Sequence, residues 1–314
     1  MNKIISFFKL VRWPNLLMTA IMMLLVYYRL MLPLFATGIP GVVPDAPAFV
    51  LLLISIIFIV AGGYVINDIF DVEVDNINKP EKVLVTKVFS DKESKVFYRI
   101  LTFLGLACGL SSSILISGSK FYTLFLILIL LAGILYSYSA TYKKKLIVGN
   151  LIVSISVALS VFLPWLFEML YLLSNALILY AVKDAMLSVL PFVLVYTFFA
   201  FMMTLFREIV KDAEDFQGDL VTRCRTIPIV LGIKKMNVIL VVLSALTCIF
   251  LAYFIVVLYR IQSYISLGFI FVVWNGVLFS MFLLLYKNAV ISYHRYSVFL
   301  KIMMLIGVLS MLFI

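Results

Sequence analysis

Charge and histidine are what this sequence has least of. Only 13% of its 314 residues are charged, and 65% are hydrophobic. A soluble domain holds about a quarter charged residues. The length would allow two soluble domains, but the composition excludes that class. Histidine occurs once, at His294, and cysteine three times, at Cys108, Cys224 and Cys248. None of these stands at metal-ligand spacing, and no disulfide framework is visible, which argues against zinc, haem and disulfide-scaffold chemistry. Alternating apolar and polar residues are also missing from the long apolar runs, which excludes a membrane β-barrel.

What is present is a series of long apolar stretches. A membrane helix needs ~20 such residues. Nine stretches meet that need, near 15–35, 47–67, 97–117, 121–140, 147–170, 186–206, 237–258, 264–286 and 297–314. The pattern predicts an all-α polytopic helical bundle, with 1–314 as a single membrane domain. The start of the chain is basic and amphipathic through Arg12. The run after it is too long for a signal-peptide core and has no small-residue cleavage site. It reads as an interfacial stretch leading into the first span.

The formal charge is +10, which by itself would suggest nucleic acid. Its distribution says otherwise. With nine spans and the N-terminus inside, 21 of the 25 basic residues fall on the inner side, and only Arg29, Lys120, Lys183 and Arg260 fall outside. That asymmetry is the positive-inside signal, so the excess is topological and no nucleic-acid partner is expected. It would also attract anionic lipid and anionic substrate.

Two inner loops are long, 68–95 and 207–235, and they hold 12 of the 15 acidic residues. Long loops in a compact domain tend to be functional. Ser90 and Glu93 form a possible capping box, so the third helix is expected to begin inside the first loop. An internal repeat is also visible. Asn67-Asp68-Ile-Phe-Asp71-Val-Glu-Val-Asp75 ends the second span, and Lys211-Asp212-Ala-Glu-Asp215-Phe-Gln-Gly-Asp219 follows the sixth. Both carry Asp at intervals of three and then four. Four spans separate them, so both are expected on the cytoplasmic side, and the chain reads as two related four-helix halves plus a ninth helix.

Spacing of three then four places side chains on one helical face. Asp68, Asp71 and Asp75 should project together, as should Asp212, Asp215 and Asp219, with Glu208 one turn earlier. Carboxylates at 4 Å repel by ~4 kcal/mol per pair at an effective dielectric of 20. Something positive should occupy the gap. Mg²⁺ suits it, because that ion takes carboxylate oxygens and completes its shell with substrate phosphates. The nearby Lys79, Lys82, Lys143, Lys211 and Arg223 would be superfluous around a metal alone. With an anionic ligand they describe a diphosphate clamp. Acid just past a membrane helix is ordinarily solvated loop, and Lys144 and Lys145 fit a topology role. Two matched clusters on one side mark a site instead.

These residues resemble the UbiA family of intramembrane prenyltransferases. Asn67-Asp68-x-x-Asp71-x-x-x-Asp75 matches the family's first motif in full, and Arg207 to Asp219 matches the second. Arg12 with Pro14-Asn15, Tyr138 five residues before Lys143, Gly149-Asn150, and Thr226 to Gly232 match further segments in order. Ile77-Asn78-Lys79-Pro80-Glu81-Lys82 resembles the I-N-R-P-D-R stretch of geranylgeranylglycerol-phosphate geranylgeranyltransferase-like members. Both arginines of that stretch are lysines here, and the usual P-S-G that follows is replaced by Val85-Thr86-Lys87.

The resemblance implies Mg²⁺-dependent transfer of a polyprenyl group from a polyprenyl diphosphate to a lipophilic acceptor. Asp68, Asp71 and Asp75 would hold one Mg²⁺. Asp212, Asp215 and Asp219 would hold a second or activate the acceptor. Asn67 would orient a carboxylate or phosphate, Lys79, Lys82 and Lys143 would contact the diphosphate, and Tyr138 would bond beside it. Arg12 and Asn15 join the substrate-binding set. The acceptor implied is a glycerol-phosphate ether lipid, with an aromatic acid of quinone biosynthesis as the alternative. A CDP-alcohol phosphotransferase would need D-G-x-x-A-R, which is absent. A cation-coupled transporter would place its carboxylates nearer mid-membrane.

Overall fold

The computed structural model describes residues 3–39, 42, 45–117, 122–174, 176–285 and 292–314. Lys120 and Lys287 of the charge pattern, with residue 121 of the fourth predicted span and 286 of the eighth, lie outside them. The described chain is helical: α1 Lys3–Leu10, α2 Trp13–Leu25, α3 Leu32–Phe35, α4 Ala46–Phe70, α5 Val72–Asn78, α6 Asp91–Ser117 and α7 Tyr122–Ala140. It continues with α8 Val148–Leu173, α9 Ala176–Glu214, α10 Phe216–Val221, α11 Ile227–Arg260, α12 Tyr264–Leu285 and α13 Tyr293–Leu309. Among the described residues, eight helices are long and apolar enough to cross a membrane. A ninth span arises if Lys3–Leu10 and Trp13–Leu30, bent by 53°, count as one.

The predicted spans fall on these helices, but the loops between them are more helical than expected. The first long loop contains α5 and a short 3-10 turn, Pro80–Lys82. In the second, α9 runs on to Glu214 and α11 begins at Ile227, ten residues before the predicted 237. Hydropathy sees only the membrane-embedded part of a helix. At 39 residues and 1.5 Å per residue, α9 exceeds a ~30 Å hydrocarbon core. Its polar end is supported by the Glu208–Lys211 pair at 2.9 Å. The expected capping box forms: Ser90 N–H donates to Glu93 Oε2 at 2.8 Å, and Glu93 N–H donates to Ser90 Oγ at 3.1 Å.

The chain packs as two compact units, Met1–Lys143 with Leu159–Val193, and Lys144–Ala158 with Leu194–Ile314. In the first unit α4 lies against α6 through small residues. A side chain at Gly105 would come within 3.0 Å of the Ile59 backbone nitrogen and of the Ser55 carbonyl. Close approach of this kind is how helices associate where no hydrophobic effect drives them together. The first residues of α1 are tied to the start of α6 by a Lys3–Glu93 ion pair at 3.0 Å. The turn after α5 is pinned under a cluster containing Leu10, Val65, Leu84, Val85, Phe89 and Leu101.

At the opposite end of α4, Tyr27 stacks on Phe49 at 3.8 Å with Phe167 edge-on to both. Tyr27 donates to the buried Glu168 at 3.4 Å. Nineteen residues of α4 separate Phe49 from Asp68, about 28 Å along the axis. In the second unit, Tyr196 pairs with Ser310 at 2.5 Å, Ser266 donates to the Ser310 carbonyl at 3.0 Å, and Trp274 donates to the Cys248 carbonyl at 3.0 Å. Near the start of α11, Gly232 at φ 78° and ψ 158° breaks the helical path.

Candidate active site

The first acidic motif occupies the end of α4, a single non-helical residue, and α5. That residue is Asp71, at φ −94° and ψ 0°, in the sparsely populated bridge region that active-site residues often adopt. The hydrogen-bond ladder continues across it. Asp71 N–H donates to the Asn67 carbonyl at 2.9 Å and Asp75 N–H to the Asp71 carbonyl at 2.8 Å. The backbone therefore leaves helical dihedrals at Asp71 while the one-turn hydrogen-bond spacing is kept.

Each carboxylate has company. Arg12 donates to Asp68 Oδ1 at 2.8 Å, and its guanidinium lies 4.9 Å over the Tyr64 ring. Asn15 donates to the Tyr64 hydroxyl at 3.3 Å. Asp71 is buried, and its Oδ2 accepts from Asn67 at 2.6 Å and from the Lys143 ammonium. Burial works to lower the Lys143 pKa, but the charges of Asp71 and Asp75 and the nearby Tyr138 hydroxyl outweigh it, and the net shift is upward. Burial first, then the Asp71 charge, pushes the Asp75 carboxyl up to about 6, against the pull of Lys143.

The second motif repeats the backbone device. Asp215 sits at φ −92° and ψ 10° between α9 and α10. Asp215 N–H donates to the Lys211 carbonyl at 2.8 Å, and Asp219 N–H to the Asp215 carbonyl at 3.1 Å. The first carboxylate, Asp212, accepts from Asn150 at 2.8 Å. One turn before it, the buried Glu208 accepts from Lys211 at 2.9 Å and from Arg207 at 3.3 Å. Both motifs thus pair a bridge-region aspartate with a first aspartate held by a residue near the start of another helix. Arg12 precedes α2, and Asn150 opens α8.

The structure brings Arg12, Asn67, Asp68, Asp71, Asp75 and Lys143 together, with Tyr138 near enough to act on the Lys143 charge. Asn15 joins them through Tyr64. Lys79 follows Asp75 by one turn, its N–H donating to the Asp75 carbonyl at 2.8 Å. Lys82 is exposed on the 3-10 turn. The Tyr64 ring is covered by the Arg12 guanidinium. Phe70 is exposed and edges against Tyr136 at 6.1 Å. Two residues of these clusters, Asn150 and Glu208, have no role assigned from sequence. Asn150 stood in a matched segment, and Glu208 stood one turn before Asp212, which was the available signal.

Oxygen donors alone form both clusters. Among the described residues, no three acidic, histidine or cysteine side chains already converge as a ready-made metal cage. Carboxylate oxygens are the donor type that a hard divalent cation takes.

The model of the UbiA prenyltransferase family matches residues 30–303. This chain belongs to the UbiA prenyltransferase family. A digeranylgeranylglyceryl phosphate synthase of Methanosphaera stadtmanae is 31% identical over 262 residues, 81% of this chain and 83% of that one. The synthase of the same name from Saccharolobus solfataricus is 34% identical over 177 residues. That match covers 56% of this chain and only about half, 54%, of the relative's own length.

A solved structure of digeranylgeranylglyceryl phosphate synthase in membranes is 27% identical, covers 99% of this chain and 98% of its own, and superposes with a TM-score of 0.66. The UbiA homolog from Archaeoglobus fulgidus bound to DMAPP and Mg²⁺ is 18% identical, with 98% and 100% covered and a TM-score of 0.56, a likeness of fold. The all-α polytopic bundle expected from the sequence is therefore the UbiA fold, and the protein is an integral, multi-pass membrane protein.

Proposed function

We propose that the chain transfers a geranylgeranyl group from geranylgeranyl diphosphate to geranylgeranylglyceryl phosphate, releasing diphosphate. The observation that carries this reading is the complete first motif, Asn67, Asp68, Asp71 and Asp75, with the cations Arg12 and Lys143 bonded to it. The names of the two relatives, and the donor diphosphate and Mg²⁺ held by the Archaeoglobus homolog, support it.

In this reading Asp68, Asp71 and Asp75 would hold one Mg²⁺, and Asp212, Asp215 and Asp219 would hold a second or prepare the acceptor. Bound there, the metal would supply neutralisation of the negative charge that grows on the diphosphate as the allylic C–O bond breaks. Lys143, Lys79 and Lys82 bind the diphosphate oxygens, Asn67 keeps Asp71 oriented, and Tyr138 bonds beside them. Arg12 and Asn15 hold the adjoining wall. Apolar helices take the isoprenoid tail and exclude water from the allylic cation. The excess of basic residues on one side supports a cytoplasmic N-terminus and active site. Residues 1–314 act as one prenyltransferase domain.

The test offers the purified protein geranylgeranyl diphosphate, Mg²⁺ and a panel of acceptors, and reads prenylated products by mass alongside inorganic pyrophosphate. Geranylgeranylglyceryl phosphate should be the acceptor consumed. Asp71→Asn and Asp215→Asn should remain folded and lose Mg²⁺-dependent turnover. Prenylation of 4-hydroxybenzoate in preference to the ether lipid, or full activity in either variant, would overturn the assignment.

A further inference from the structure

The contact between Lys143 and Asp71 has unequal partners. The Asp71 side chain is 8% exposed and that of Lys143 34% exposed. Asp71 is fixed three ways: its N–H and its carbonyl both lie in the α4–α5 hydrogen-bond ladder, and Asn67 holds its Oδ2 at 2.6 Å. Lys143 sits on a three-residue 3-10 turn, Tyr142–Lys144, that links α7 to α8. It reaches the carboxylate on a flexible four-carbon stem whose ammonium is a compact point charge. If one partner leaves, it is the lysine. A carboxylate oxygen already shared by an amide and an ammonium is also a poor metal ligand until the ammonium goes.

We infer that Lys143 is the resident counter-ion of Asp71, and that it trades this carboxylate for the substrate diphosphate, so that donor binding opens Asp71 to the metal ion. The inference rests on the proposed function, since it takes Asp71 as a metal ligand and Lys143 as a diphosphate contact. It adds that the two binding events are coupled through one side chain. No covalent bond changes. The ammonium leaves one anion for another, and a divalent cation replaces it. Without donor, the ion pair protects a buried carboxylate that would otherwise lack a counter-charge. With donor, each charge keeps a partner. Coupling between two ligands is reciprocal, so metal also strengthens donor binding through the same lysine.

The experiment measures Mn²⁺ binding to the full-length protein in lipid nanodiscs by electron paramagnetic resonance. Binding is measured with and without geranylgeranyl thiodiphosphate, a slowly reacting donor analogue. In the parent protein the analogue should tighten Mn²⁺ binding by about tenfold or more, the usual scale of such coupling. Lys143→Met should bind Mn²⁺ more tightly than the parent when no analogue is present, and the gain from the analogue should shrink toward onefold. Lys143→Gln, which keeps a polar tip without the charge, should behave the same way and serves where the methionine variant folds poorly.

Mn²⁺ affinity that is unchanged or weaker in both variants, with the analogue's effect intact, would overturn the exchange while leaving the functional reading standing. A parent protein that binds no analogue in the presence of Mn²⁺ would overturn the functional reading, and the exchange with it.

Discussion

Arg12 donates to Asp68 at 2.8 Å from a backbone that is itself left-handed, at φ 52° and ψ 51°. Non-glycine residues in that region cost about 1–3 kcal/mol and persist where their surroundings over-determine them. Here Asn15 N–H donates to the Arg12 carbonyl at 2.8 Å and the Tyr64 ring lies beneath the guanidinium. Arg12→Gly keeps the backbone and removes the charge. It should lower turnover by about a hundredfold, the scale of losing one positioned electrostatic group. Arg12→Lys keeps the charge but loses the planar stack, and should fall between. Steady-state kinetics in the prenyl diphosphate test this. An Arg12→Gly enzyme within twofold of the parent would refute the role.

Asn150 stands to Asp212 as Arg12 does to Asp68, but brings no charge. Its amide fixes the direction of the carboxylate, as partners behind a metal ligand generally do, at about 10- to 100-fold in activity or metal affinity. Asn150→Ala should lose that factor. Asn150→Asp, which sets a second carboxylate against Asp212, should lose more. Both should unfold within a few degrees of the parent. A thermal shift without an activity loss would instead mark Asn150 as a packing residue.

The spans and both acidic motifs were legible in the sequence because each rests on a local signal. A membrane helix shows as an apolar run, and three-then-four spacing shows as one helical face. The bridge-region turns at Asp71 and Asp215 were not legible, since nothing in Ile69-Phe70-Asp71 or Ala213-Glu214-Asp215 punctuates a helix as Gly or Pro would. The continuation of α9 and α10 through the predicted loop was missed for a related reason. Once hydropathy falls, a polar helix and a solvated loop look alike. Partner choice was the least visible part. Arg12 and Asp68 are 56 residues apart, and Lys143 and Asp71 are 72 apart.

Gly105 supports the first motif from a distance, because α4 carries it and α6 braces α4. An added Cβ at Gly105 would meet Ile59 Cγ1 at 2.9 Å, and backbone atoms of Ile59 and Ser55 at 3.0 Å. Backbone cannot step aside as a flexible side-chain tip can. Gly105→Ala should destabilise by about 1–3 kcal/mol, the usual cost of overpacking, despite the better helix propensity of alanine. Gly133 has open space around it, so Gly133→Ala should be neutral or slightly stabilising. Thermal unfolding in one detergent compares the two. Equal midpoints would show that α6 does not approach α4 this closely.

The Asp75 carboxyl, pushed up to about 6 by burial and by the charge of Asp71, gives the metal-free protein a defined pH response. Its ordinary value is 3.8. Between these two values the folded state binds more protons at Asp75 than the unfolded state does. This group's contribution to stability is therefore full below pH 4 and declines as pH rises to about 6, after which it is constant. Metal binding runs the other way, because a divalent cation requires the ionised carboxylate and must displace the proton. Mn²⁺ affinity should vary little at Asp75 between pH 7 and 8. Below 6 this residue alone should weaken it by up to about tenfold per pH unit. Asp75→Asn should bind more weakly at pH 7.5 and lose the inflection near 6. If the inflection survives in Asp75→Asn, another group controls it and Asp75 is no ligand.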